Sequence, residues 1–470
     1  MAKQYKTLPL LGSDRGERSG SVSAERNVNL WSKLPKTGSK SPIVLYPTPG
    51  YTSFSATGES PNRGNGVTFN GYFYFVASDS LVQISQEGIN SIVGTFDTSS
   101  GRVQMVVGRD YLMVTDGGNG WTWDGTTFAK ITDPDFPASP SHCAYADNYF
   151  IVNKGGSDEF YISAVEDPTS WGGLDFEAAS AVPDNATALT SNRKDLYILG
   201  SASVQVYYNS GNEDFPYVAY TGGTLDFGIL APHSLVDSSA GIFFLATARE
   251  GGIAVVQLNG FQAQIISSDI SWDLDGLTTT EDAEAFVYRI GERTIYQITF
   301  PTEARTFEYV IDYQSWTERK TYDSTRYAAN GHAFLDGKNI IGEYDSGTFY
   351  LLDEEVYTDD GTAIERIRVT QPIHSNHNLL KFSAVVVEIE SGVGLVAGQG
   401  SDPLMMMRYS DNGGKTWSSE LTASMGKIGE YGIILEWTKL GLSRSRIFEF
   451  KVTDPVKVVI VNAYARVTVL

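Results

Sequence analysis

Neighbouring carboxylates are the raw material of general acid–base hydrolysis, and the chain offers three groups of them: Asp353-Glu354-Glu355, Asp359-Asp360 and Glu281-Asp282. A glycosidase needs its acid and its base about 5–10 Å apart across a cleft. Adjacent acids in a loop do not supply that, and in an acidic chain they read as solvated charge. Histidine is scarce: His142, His233, His332, His374 and His377. His374 and His377 form the only close pair. In a strand or loop these positions do not converge, and no third ligand is evident, so no metal is implied. His142 beside Cys143 joins a base to a thiol. Neighbours on a strand face opposite ways, so a buried Cys143 and an exposed His142 are expected. Arg102, Arg193, Arg249, Arg289 and Arg326 are too scattered to assemble into an anion-binding cluster and read as surface charge. No phosphate-binding glycine loop of either common spacing is present. These residues point away from an enzyme, and they imply no cofactor.

Composition limits what can hold them in place. The 470 residues carry 35 Lys+Arg against 56 Asp+Glu, a net charge of −21. Gripping nucleic acid or docking on anionic lipid needs clustered cations, so both are disfavoured. The single cysteine forbids an intramolecular disulfide. No apolar run approaches the ~20 residues of a membrane span, and the opening Met1-Ala2-Lys3-Gln4-Tyr5-Lys6 lacks the apolar core of a signal segment. A secreted precursor, membrane insertion and a disulfide scaffold are therefore not expected. Gly 47, Tyr 26 and Phe 23, with only 19% charged residues, is the usage of an all-β protein.

One pattern recurs: a tight-turn pair followed by an aromatic or aliphatic run. It begins at Asn70-Gly71, Arg109-Asp110, Asp147-Asn148, Lys194-Asp195, Ala240-Gly241, Gly291-Glu292 and Asp336-Gly337. The spacings are 39, 37, 48, 46, 50 and 46 residues, the period of a four-stranded propeller blade. Further strands follow at hairpin distance, as at Leu81–Ile84, Trp121–Trp123, Glu159–Ile162, Val204–Tyr208 and Thr348–Leu352. We expect a β-propeller of about seven blades over residues 56–362. The spacing also admits six or eight, and the same strands would build a pair of sandwiches. Residues 1–55, with polar stretches at 12–20 and 35–40, read as an extended N-terminal arm. Residues 363–470 carry longer strands, at 381–389, 431–437, 447–452 and 456–461, and read as a C-terminal β-sandwich-like domain. No helix of three turns is expected.

Within that last domain, Ser410-Asp411-Asn412-Gly413-Gly414-Lys415-Thr416-Trp417 resembles the Asp-box hairpin of sialidases, with Asn412 where the box usually has Asp. It is read as a structural turn: Ser410 and Asn412 bond backbone, Gly413 and Gly414 take positive φ, and Trp417 anchors the hairpin. Arg444 and Arg446 form the densest basic patch outside the N-terminal segment. They suit an acidic partner surface better than DNA.

Four segments carry a wider resemblance. They are Glu25-Arg26-Asn27-Val28-Asn29-Leu30-Trp31 with Tyr46–Tyr51; Leu199–Gly211 with Phe215-Pro216-Tyr217; Thr224–Pro232; and the closing stretch from Trp437 through Arg444, Arg446, Phe448 and Asp454-Pro455 to Tyr464. Taken together they resemble the tail hub proteins of short-tailed bacteriophages, the packaged-DNA stabilisation proteins or tail accessory factors. The resemblance implies a structural virion protein and no enzyme. It implies a homohexameric ring below the portal–adaptor complex that retains packaged DNA and carries the tail needle and the tailspikes or fibres. Its place would be the virion tail, assembled in the host cytoplasm. Arg26, Asn27, Asn29, Trp31, Arg444 and Arg446 are then candidate partner-binding residues. Six copies at −21 each would carry −126, and an acidic lining lets DNA slide where a basic one would hold it. The alternatives are a sialidase-like glycan-active propeller enzyme and a generic propeller interaction scaffold.

Overall fold

A computed structural model describes residues 6–9, 19, 23–35, 41, 43–247 and 251–470. The opening Met1–Tyr5, most of the polar stretches at 12–20 and 35–40, and Arg249 lie outside the described residues. The turn-then-apolar beat marks the second strand of every blade: Tyr72–Ala77, Leu112–Thr115, Tyr149–Asn153, Asp195–Leu199, Gly241–Thr247, Arg293–Phe300 and Lys338–Glu343. Three of the turns, Asn70-Gly71, Asp147-Asn148 and Asp336-Gly337, hold both residues at positive φ. In a two-residue hairpin that geometry matches the twist of the flanking strands, and Asn, Asp and Gly tolerate it best. The second strands lie between neighbouring blades, and Phe73, Phe75, Phe150, Leu196, Phe243, Ile295 and Ile340 are wholly buried there.

Seven innermost strands line the axis: Val67–Phe69, Gln104–Val107, Cys143–Ala146, Ala188–Asn192, Val236–Ser238, Glu284–Ile290 and Ala329–Leu335. Each packs against the next and the last meets the first, so the ring closes on seven blades. The seventh blade is completed from the other end of the chain. Gly50–Ala56 pairs antiparallel with Thr348–Asp353, Tyr51 opposite Leu352 and Ser53 opposite Tyr350.

The C-terminal domain is a two-sheet sandwich. One sheet runs Leu30–Lys33, Val44–Pro47, Ile460–Val469, Leu380–Ile389, Ile434–Thr438, with Lys6–Pro9 also on Ile460–Val469. The other runs Arg366–Val369, Ser445–Val452, Leu404–Ser410, Leu421–Ser424. Phe382, Val385, Met405, Met407, Trp437, Phe448, Phe450 and Ala465 fill the space between them. The strand expected at 456–461 begins only at Ile460. The Asp454-Pro455 turn, closed by the Val456 N–H on the Asp454 carbonyl at 2.8 Å, delays it, while Val456 and Val458 still bury their side chains.

The second sandwich sheet does not stop at the sandwich. Arg26–Val28 pairs parallel with the outer strand of blade 6, Ser315–Glu318, and antiparallel with Arg366–Val369. A single ten-stranded sheet therefore runs from the propeller axis into the sandwich.

The expected arm is corrected here. The described part of residues 1–55 is woven into three sheets rather than laid across a surface. Its strands are three to seven residues long, too short to show a period of two. Val28, Leu30, Trp31 and Leu45 are buried at 0–1% exposure. The expected boundaries after residues 55 and 362 fall inside Gly50–Ala56 and Thr362–Ala363.

Candidate assembly site at the propeller–sandwich junction

The N-terminal strands cross from propeller to sandwich, and the residues singled out there are interior. Asn29 sits at φ 54°, a conformation Asn tolerates better than most residues. Its Nδ2 donates to the Glu365 carbonyl at 2.8 Å and the Lys320 carbonyl at 3.0 Å, and its Oδ1 accepts the Lys320 N–H at 3.1 Å. One side chain thus ties the segment to the end of blade 6 and to the start of the sandwich. Asn27 donates to Ser32 Oγ at 3.0 Å and accepts from Arg368 at 3.0 Å. Trp31 donates from Nε1 to Glu308 Oε2 at 2.8 Å. Arg26 keeps half its side chain in solvent and pairs with Glu318 at 2.8 Å, beside a groove of about 190 Å³.

A buried charge network underlies this crossing. Glu308 also accepts the Tyr288 hydroxyl at 2.9 Å and faces Arg319 at 3.7 Å. Arg319 donates to the Pro49 carbonyl at 2.7 Å and the Tyr327 hydroxyl at 3.1 Å, bonds Thr48 Oγ1, and lies over the Tyr327 ring. Burial pushes the Glu308 carboxyl up, against the pull of Arg319. Burial likewise lifts Asp359 to about 6, with Arg319 and Arg366 opposing, and neither Asp359 oxygen has a hydrogen-bond partner among the described residues. Burial and the charge of Arg319 lower Arg366 to about 10. Buried charges persist only when paired, so these groups demand a fixed geometry between the domains. No local motif marks Arg319, Arg366 and Arg368 as interior. An arginine in or beside a short strand reads as solvent-facing, and the partners of Arg319 (Thr48, Pro49) and Arg368 (Glu25, Asn27) lie hundreds of residues away in the N-terminal segment.

At the sandwich, Arg446 is 2% exposed and holds Asp411 through two bonds of 2.6 and 2.7 Å. Its guanidinium lies over the rings of Tyr409 and Phe382. Arg444 is exposed and donates to the His377 carbonyl at 2.6 Å. Residues 410–417 form a turn closed by side-chain bonds to backbone. Ser410 Oγ accepts the Gly414 N–H at 3.0 Å, Asn412 Oδ1 accepts the Thr416 N–H at 2.9 Å, and Gly413 and Gly414 have φ of 70° and 83°. Trp417 packs against Val28, Ile367 and Val369. Asp411, inside the turn, is the residue that clamps Arg446. Of the six candidate partner-binding residues, Asn27, Asn29, Trp31 and Arg446 spend their polar atoms within the chain, and Arg26 and Arg444 face solvent.

The remaining chemistry-bearing residues fall mostly into turns. Asp353 accepts the Glu355 N–H, Asp360 the Ser53 N–H and Asp282 the Thr302 N–H, at 2.8–3.0 Å, and Glu354 pairs with Arg293 at 2.6 Å. Among the described residues no three His, Cys, Asp or Glu side chains converge to hold an ion. The expectation for His142 and Cys143 is reversed: His142 is 1% exposed and Cys143 half-buried. His142 precedes its strand and turns onto the Pro232 carbonyl (3.1 Å) and the His233 ring. Arg193 and Arg289 are exposed, whereas Arg102 and Arg326, expected apart, meet on Glu284 at 2.7 and 2.9 Å.

No curated protein matches the chain. Among solved structures, an extracellular domain of a hybrid two component system from B. thetaiotaomicron aligns at 10% identity and TM-score 0.44, over 70% of this chain and 47% of that one, so the chain spans under half its length. The N-terminal domain of Nup159 aligns at 8% identity and TM-score 0.40, covering 70% of this chain and 99% of that one. The Pan2 WD40 domain of Neurospora crassa gives 8% and 0.42, covering 64% and 94%. Two family models match in chain order. One, described as bacteriophage P22 Gp10, beta-propeller, covers residues 6–357, and the other, bacteriophage P22 Gp10, beta-sandwich, covers residues 365–468. With both halves matched and both folds observed, the chain belongs to the bacteriophage P22 Gp10 family, the tail hub structural proteins of short-tailed phages.

Proposed function

We propose that the protein is a non-enzymatic connector of the phage tail: a homohexameric ring below the portal–adaptor complex that retains packaged DNA and carries the tail needle and the tailspikes or fibres. It assembles with these partners in the host cytoplasm and encloses DNA without sequence-specific binding. Family membership carries the tail assignment. What supports a connector in particular is the ten-stranded sheet that makes propeller and sandwich one body. A ring built from head-to-tail contacts needs two different complementary patches on each subunit, and a rigidly coupled pair of domains presents them at a fixed angle. Arg26 and Arg444 are candidate contacts for acidic neighbours.

Native mass spectrometry of the full chain, alone and with portal–adaptor complexes, tests the reading. A sixfold assembly on the complex is expected; a chain that stays monomeric with the complex present overturns it. Hydrolysis of a fluorogenic sialoside would instead support the glycan-active alternative. The acidic-channel idea is tested by Asp/Glu→Lys changes on whichever face lines the assembled ring. Slowed DNA ejection is expected, and unchanged ejection kinetics would discard the idea.

A further inference from the structure

The propeller axis holds a surplus of positive charge in an acidic chain. Glu284 opens the innermost strand of blade 6 and is shared by two guanidinium groups, Arg102 at 2.7 Å and Arg326 at 2.9 Å. One carboxylate against two arginines leaves a formal +1 in a protein of −21. Arg102 also donates to the Asn330 carbonyl at 3.2 Å. The Nε atoms of both arginines are buried without a hydrogen-bond partner among the described residues. On the next residue, the Ala285 carbonyl accepts Asn65 Nδ2 at 3.0 Å, and Asn65 Oδ1 is buried without a partner among the described residues.

A histidine reaches the same strand from blade 5. The short helical turn Pro232–Ser234 packs against Glu284–Ile290 and carries His233. Its ring stacks on His142, with centroids 5.2 Å apart and planes 18° apart. His142 is fully used: Nε2 meets the Pro232 carbonyl at 3.1 Å and Nδ1 meets Ser141 Oγ at 3.0 Å. Neither ring nitrogen of His233 has a hydrogen bond among the described residues. Burial, His142 and the charge of Arg102 all hold its basicity down. Arg102 keeps 18% of its side chain exposed, and His233 is half-buried.

We propose that this axial cluster is a binding site for a small oxyanion, phosphate or carboxylate, with Arg102 and His233 as its principal donors and Arg326 behind them. The cluster has excess positive charge and, in His233, a ring that makes no hydrogen bond among the described residues, and an oxyanion answers both. An ordinary surface arginine pair would have neither the shared carboxylate nor the stacked, unbonded imidazole. The proposal concerns the monomer and does not depend on assembly into a ring.

Isothermal titration of the full chain with inorganic phosphate and, separately, with acetate, at constant ionic strength, tests it. Saturable binding of one anion per chain is expected. Arg102→Gln and His233→Gln should each weaken it by about tenfold or more, the worth of one charge-assisted hydrogen bond, while Lys415→Gln, an equal charge change at an exposed turn, leaves it unaltered. Should R102Q fail to fold, H233Q decides, because that side chain has no hydrogen bond to lose. Binding of phosphate alone marks a free-phosphate site; equal binding of acetate marks a site for a protein carboxylate. No saturable binding of either anion, or equal loss in all three variants, overturns the proposal.

Discussion

Trp31 and Glu308 lie 277 residues apart in sequence, yet the indole N–H meets the carboxylate at 2.8 Å with both side chains at most 1% exposed. The bond fastens the N-terminal strands to blade 6, and Glu308 in turn is the counter-charge of Arg319. Removing the carboxylate strands a buried guanidinium, whereas removing the indole N–H leaves a charged pair short of one donor. Glu308→Gln should therefore cost about 3–5 kcal/mol, and Trp31→Phe about 1–3 kcal/mol. Urea unfolding of the two variants checks the order. A Trp31→Phe loss larger than that of Glu308→Gln would contradict it.

Gly50–Ala56 gives a second prediction. It is the outer strand of blade 7 and pairs along its whole length with Thr348–Asp353. A chain lacking residues 1–56 loses this closure, and it also loses Lys6–Pro9, Arg26–Val28, Leu30–Lys33 and Val44–Pro47, the four strands that pair with or bridge to the sandwich. We expect it to be insoluble or to unfold in a broad, non-cooperative transition. A dispensable arm would leave the melting curve unchanged. Circular dichroism melting of the truncated and full chains separates the two outcomes.

The contrast shows what the sequence made legible. The propeller was readable because each blade repeats a local signal: a turn pair that needs positive φ, such as Asn70-Gly71, then a strand buried on both faces, such as Tyr72–Ala77. Those signals suggest about seven blades, and the closed ring of innermost strands sets the count at seven. The junction was not readable, because its partners are distant. Asn29 bonds residues 320 and 365, and nothing near Asn29 announces them. Arg102 and Arg326 met for the same reason: each stands just before an innermost strand, and ring closure brings those positions to one axis. Scatter along the chain is no measure of distance in a closed ring.

Arg444 and Arg446, two residues apart, should behave oppositely. Arg446 is buried and doubly bonded to Asp411. Arg446→Ala leaves a void beside Tyr409 and Phe382 and releases the turn, and about 3 kcal/mol of stability should go with it. Arg444→Ala removes an exposed charge and should change stability by no more than about 0.5 kcal/mol, while weakening any contact with an acidic partner. Chemical denaturation, paired with pull-down against tail components, reads both effects.

Buried titrating groups predict a pH profile. His142 and His332 are held down to about 4, chiefly by burial, from an ordinary 6.5. The folded state thus favours neutral imidazole. The contribution of each is complete above pH 6.5 and is lost as pH falls toward 4, about 3 kcal/mol apiece. Asp359 has the opposite sign. Burial raises it from 3.8 to about 6, so the fold favours the protonated acid. That contribution is complete below pH 3.8 and is lost as pH rises through 6, again about 3 kcal/mol. Acidification from pH 6.5 to 4 should therefore destabilise the protein on balance, two histidines outweighing one aspartate. Asp359→Asn should stabilise at pH 7.5, where the wild-type carboxylate is charged, and converge with wild type near pH 4. His332→Asn should flatten the acid limb, since the neutral side chain binds no proton in either state. Denaturant midpoints at pH 4, 5.5 and 7.5 decide the matter. If Asp359→Asn were equally destabilising at all three, the carboxylate would be a net stabilising partner of Arg319 and Arg366, and the sign assigned to it here would be wrong.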